Sequence, residues 1–92
     1  MNEQEGQNEM TLIKDEGVTS LLEDRYIIDE DLRQVIHNAE KSGEKLFQPE
    51  GDRYLAKLTI SDATFYVEYS ISDDSYRIHT AYFHRSEFVN GE

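Results

Sequence analysis

The feature that most constrains this chain is a period-two alternation running from Tyr54 to Phe83, broken twice by short turns. Tyr54, Ala56, Leu58 and Ile60 alternate with Leu55, Lys57 and Thr59. Phe65, Val67, Tyr69 and Ile71 alternate with Thr64, Tyr66, Glu68 and Ser70. Tyr76, Ile78, Thr80 and Tyr82 alternate with Arg77, His79, Ala81 and Phe83. Successive side chains of a strand point to opposite faces, so each segment reads as a strand with one apolar and one mixed face. Ser61-Asp62-Ala63 and Ser72-Asp73-Asp74-Ser75 are turn-forming stretches, short enough to join the strands as hairpins. The result is an antiparallel meander that needs a partner layer on its apolar side.

That partner is supplied by residues 29–42. Leu32, Val35, Ile36 and Ala39 fall at i, i+3, i+4 and i+7, the apolar stripe of a surface helix. Asp29 is placed to cap it, Glu30 and Asp31 suit its positive end, and Lys41 and Gly43 mark its stop. The expected fold is α+β: one amphipathic helix packed on a three- to four-stranded antiparallel meander sheet. Arg25–Ile28 is the candidate for the extra strand, and Leu46-Phe47 is a short apolar step into the turn Pro49–Asp52. The 92 residues suffice for one domain. A domain of that size buries only about 60% of its unfolded surface, so its core must be compact.

The charge is unevenly spread. The whole chain carries −11. Residues 1–31 hold ten Asp/Glu and two Lys/Arg, giving −8, and residues 32–92 hold ten and seven, giving −3. Residues 1–21 therefore read as an acidic N-terminal arm, expected to be disordered, before a single domain over 22–92. Two apolar islands interrupt the arm, Met10–Lys14 and Val18–Leu22, and could pack on the domain or order on a partner. An acidic chain repels phosphates, so nucleic acid is disfavoured as a partner. Residues 1–5 have neither a basic nor an apolar targeting segment, no run is long enough for a membrane span, and there is no cysteine. The reading is a cytoplasmic protein without disulfides, thiol nucleophiles or Cys-ligated metals.

Candidate chemistry concentrates on the outward face of the last two strands. Tyr66, Glu68 and Ser70 lie beside Arg77 and His79, with His84, Arg85 and Glu87 at the exit. Glu68, His79, His84 and Arg85 are the residue types a base, an acid and an anion clamp would need. The plainer reading is a normal polar sheet face on which Glu68 pairs across to Arg77 or His79. His37, His79 and His84 form no close metal-binding pair, because five residues along a regular strand separate opposite faces. Tyr54, Tyr69, Tyr76 and Tyr82 fall on the expected inner face and read as core. There is no phosphate loop, no metalloprotease helix and no calcium loop, and no cofactor is expected.

Two resemblances follow. Asp29–Gly43 with Tyr54–Phe88, and above all Ala81-Tyr82 followed by His84-Arg85, resembles small α+β domains of anaerobic Clostridia such as Desulfitobacterium. That resemblance implies a fold and no established activity. One helix, three meandering strands and a closing Arg77-Ile78…His84-Arg85…Glu87 are similar in outline to RelE/BrnT-type toxin ribonucleases. Those imply RNA cleavage, with Arg77, His84 and Arg85 as the candidates. The −11 charge departs from that pattern.

The expected function is a non-catalytic interaction or accessory module of a bacterial cytoplasm whose partner is another protein. Its contact surfaces would be the arm, through Leu12, Ile13, Leu21 and Leu22, and the outer face around Tyr66 and His79. A small ribonuclease is the second reading. An acidic mimic of nucleic acid is the third, and it ranks lowest because the negative excess lies toward the N-terminus, −8 over residues 1–31, and not on one folded face. Nothing in the sequence fixes an oligomeric state.

Overall fold

The computed structural model describes residues 10–85. It is α+β, with two helices and a five-stranded mixed sheet. In chain order the elements are β1 (Thr11–Ile13), α1 (Glu16–Asp24), α2 (Asp29–Ser42), β2 (Leu46–Gln48), β3 (Arg53–Ile60), β4 (Ala63–Ser72) and β5 (Ser75–Arg85). The strands lie in the order β1-β5-β4-β3-β2. All neighbours are antiparallel except β1, which runs parallel to β5 with Leu12 opposite Tyr76.

The expected helix is present with its expected ends. Its first turn differs in detail. Ile28 occupies the cap position, and Asp31 Oδ2 accepts from the Ile28 amide at 3.2 Å. Asp29, expected as the cap, instead pairs with Lys14 at 2.5 Å. Gly43 ends the helix at φ 80°, with its amide on the Ala39 carbonyl. A residue with a Cβ is strained in that left-handed conformation.

Three expectations about the sheet are corrected. The meander gains β2, because Leu46-Phe47 pairs with Leu55 and Tyr54. It gains β1 at its other edge, and this pairing is parallel. Arg25–Ile28 is not a strand: it joins the two helices, and Tyr26 turns the chain at φ 60°.

The placement of residues 10–21 in the arm is corrected as well; residues 1–9 lie outside the described residues. Asp15 caps α1 by accepting from the Val18 amide at 2.8 Å. Val18, Leu21 and Leu22 then fall at i, i+3 and i+4 of a short amphipathic helix. Leu22 is buried in the core, while Met10, Leu12, Val18 and Leu21 pack against it. Polar links hold the segment down: Lys14 to Asp29, Arg33 Nε to the Met10 carbonyl at 3.2 Å, and Arg25 Nη1 to the Ala81 carbonyl at 2.8 Å. Beyond Ile13 the edge of β5 has no strand partner among the described residues. Arg25 satisfies one of its carbonyls, a common way of blunting an exposed sheet edge.

The core lies between the helices and one face of the sheet. Leu22, Leu32, Val35, Ile36 and Ala39 from the helices meet Ala56, Val67, Tyr69, Ile78 and Ala81 from the strands. Both helices therefore cover the same side, and the other face of the sheet has no layer over it among the described residues.

Candidate functional site

The uncovered face is set by a β-bulge. Glu68 pairs with Thr80 but Tyr69 pairs with Ile78, so His79 is an extra residue in β5. An inserted residue reverses the alternation beyond it. Ala81 and Phe83 turn inward, where Ala81 is buried and the Phe83 ring lies 5.1 Å from Phe65. Tyr82 and His84 turn outward. The expectation that Tyr82 is core is thereby overturned. So is the expectation that His79 and His84 occupy opposite faces, since both now lie on the outer one.

At the centre of that face Lys57, Tyr66 and Tyr82 stand in one cross-strand row. The Tyr66 and Tyr82 rings stack at 5.0 Å and 15°. His84 meets both edge-on, at 5.7 Å from Tyr66 and 5.9 Å from Tyr82. Such pairs add about 0.5–1.5 kcal/mol beyond their buried area. The three rings thus form a preorganised ridge. Thr59 and Thr64 flank it through a hydroxyl contact of 2.9 Å. On its other side a groove of about 590 Å³ runs between Gly43–Leu46 and Leu55, Lys57 and Tyr66. Leu46, at 66% exposure, is the apolar lip of that groove.

The face is basic, although the chain is acidic. Arg53, Lys57 and Arg77 stand on its strands against Glu68, with Asp15 also acting on His79. Glu68 pairs with Arg53 of β3 at 3.2 Å, not with Arg77 or His79 as expected. His79 Nε2 lies 2.9 Å from Ser70 Oγ. Partial burial, and then the Arg53 and Arg77 guanidiniums, hold the His79 imidazole below its ordinary range.

The candidate catalytic residues are split. Glu68 and His79 lie in the half of the face nearer the β4–β5 turn. His84 and Arg85 lie at the far end of β5, five residues on and about 15 Å along the strand. There Arg85 makes an exposed 3.6 Å contact with Asp62. Of the candidate binding residues, Tyr66 and His79 are on the outer face. Leu22 is buried in the core, and Leu21 is partly buried against it. Among the described residues no group of three or more His, Asp or Glu could hold a metal ion, and no helix is long and apolar enough to cross a membrane.

A second polar cluster lies on the covered side. Tyr69, fully buried, donates to Glu40 Oε2 at 2.5 Å. Lys45 pairs with the same oxygen at 2.6 Å and sits 4.1 Å over the Tyr54 ring. Every member has its partner, so this cluster reads as the polar seal at one end of the core.

What sequence reasoning missed was the bulge, and with it the Tyr66–Tyr82–His84 ridge. Its one trace was the pair Ala81 and Phe83, which read as outward-facing apolar residues. No family model matches the chain, and no curated protein and no solved structure was found to be similar to it.

Proposed function

We propose that this is a non-catalytic interaction module of a bacterial cytoplasm. It binds an acidic, partly apolar segment of another protein on the uncovered sheet face. The observation that carries the reading is the Tyr66–Tyr82–His84 ridge beside Lys57, its two tyrosines half-buried and His84 exposed, on a sheet whose other face is filled. Half-buried aromatics in a fixed arrangement are typical anchors of protein interfaces, because little side-chain freedom is lost on binding. The surplus of cations on this face complements an acidic partner and would steer its approach. The rings stack on one another and leave no paired flat surfaces for bases, and the −11 charge opposes phosphate backbones. Both points favour a protein over a nucleic acid.

The test is site-specific photo-crosslinking in cells of the source organism. A benzophenone side chain replaces Lys57, or, as a control, the exposed Glu30 on the far side of the domain. The expected result is one adduct of defined mass at position 57, absent at position 30 and lost on Tyr82→Ser. No adduct at 57, equal labelling at 30, or an adduct that survives Tyr82→Ser overturns the reading.

A further inference from the structure

The outer face carries a second cluster, toward the end of the sheet away from His84. Arg53 of β3, Ser70 of β4, and Arg77 and His79 of β5 meet there. Arg77 is the register partner of Ser70. Ser70 Oγ is 2.9 Å from His79 Nε2, and Arg53 enters through its 3.2 Å contact with Glu68. Arg77 has no ion-pair partner among the described residues. His79 is the inserted residue of the bulge and has no Cα partner on β4. Bulges often re-aim a side chain at a functional site.

We infer that Arg53, Ser70, Arg77 and His79 form a binding site for a tetrahedral oxyanion, carried by a phosphorylated side chain of the protein partner. The inference rests on the docking reading above and names the chemical group that docks at this end of the face.

The donor set matches that ligand. Two guanidiniums offer forked N–H pairs, which suit phosphate oxygens. In its Nδ1–H tautomer, a neutral His79 accepts from the Ser70 hydroxyl at Nε2. Once His79 is protonated, Nε2–H donates to Ser70 Oγ, and the Ser70 hydroxyl is free to donate to the anion. From that tautomer, binding is coupled to proton uptake at His79. The groups facing that ring are Arg53 and Arg77, which oppose its charge, and Glu68 and Asp15, which favour it. A bound dianion would offset the two guanidiniums and raise the His79 midpoint. Glu68 competes for Arg53, so loss of its charge should tighten binding.

The test uses the full isotope-labelled chain at pH 6.5. Inorganic phosphate and then O-phosphoserine are titrated while the His79 Cε1–H resonance is followed. Sodium chloride at matched ionic strength and serine are the controls. The expected result is a saturable shift with both phosphate compounds and a raised His79 midpoint. Arg77→Ala should weaken binding about tenfold or more, the loss of one charged hydrogen-bonding group. Glu68→Gln should strengthen it. Arg85→Ala removes the same charge at the far end of β5 and should leave it unchanged. No saturable shift beyond the chloride control overturns the site, as does an Arg77→Ala chain that binds equally well. Phosphate binding without O-phosphoserine binding overturns the assignment to a phosphorylated side chain. Crosslinking at position 57 is read independently, so failure of the anion site and failure of the docking face are distinguishable.

Discussion

The Tyr69 hydroxyl donates to Glu40 Oε2 at 2.5 Å and so ties the last turns of α2 to the centre of β4. Tyr69 has no solvent exposure. Tyr69→Phe removes the donor and keeps the ring, while Glu40 retains Lys45. The expected cost is about 1–2 kcal/mol, read from urea unfolding of the two proteins. Burial, followed by the Glu40 bond, also pushes the Tyr69 hydroxyl far above its ordinary value of 10.0. The unfolded chain releases that proton near pH 10 and the folded chain does not. Stability should therefore fall as pH rises beyond about 10. Tyr69→Phe should flatten that alkaline slope.

The bulge makes a prediction that regular alternation reverses. Unbroken period two would bury Thr80 and expose Ala81, whereas in the structure Ala81 is 1% exposed. Ala81→Val should overpack the core and cost about 1–3 kcal/mol. Thr80→Val, on the outer face, should change stability by no more than about 0.5 kcal/mol. Thermal melts of the two variants measure this difference, and equal effects would mean that the inserted residue is not His79.

Much of this was readable in the chain, and the failures share one cause. The α2 stripe and the three long strands repeat their pattern often enough to be visible without tertiary contacts. Leu46–Gln48 and Thr11–Ile13 are only three residues long, too short for any period, and exist because a neighbouring strand supplies their hydrogen bonds. Helix α1 had a signal, Asp15 three residues before Val18 with Leu21 and Leu22 following, but the surrounding acidity masked it. The bulge at His79 changes which residues face the core without changing composition or turn chemistry. It therefore moved Tyr82 out of the predicted core and onto the outer face beside His84.

Residues 10–21 should prove inseparable from the domain. Leu12 and Leu21 pack against the core, and the Lys14–Asp29 pair and the Arg33–Met10 carbonyl bond tie the segment to α2. A chain starting at Met10 should keep the dispersed amide spectrum of the full protein. One starting at Leu22 exposes the β5 edge and the core under Leu12 and Val18, and should lose dispersion. Retained dispersion in the shorter chain would show that β1 and α1 are dispensable.

Tyr26 pairs an unfavourable backbone with an exposed side chain. It sits at φ 60°, where a Cβ meets the following carbonyl, and it is 87% exposed. No packing offsets the strain, which for a residue other than glycine is about 1 kcal/mol. Tyr26→Gly relieves it and gives back part of that gain as added freedom of the unfolded chain. The net expectation is a stabilisation of up to about 0.5 kcal/mol, seen as a higher urea midpoint with an unchanged slope. Destabilisation instead would mean that the Tyr26 ring makes contacts in solution that hold the joint between the helices.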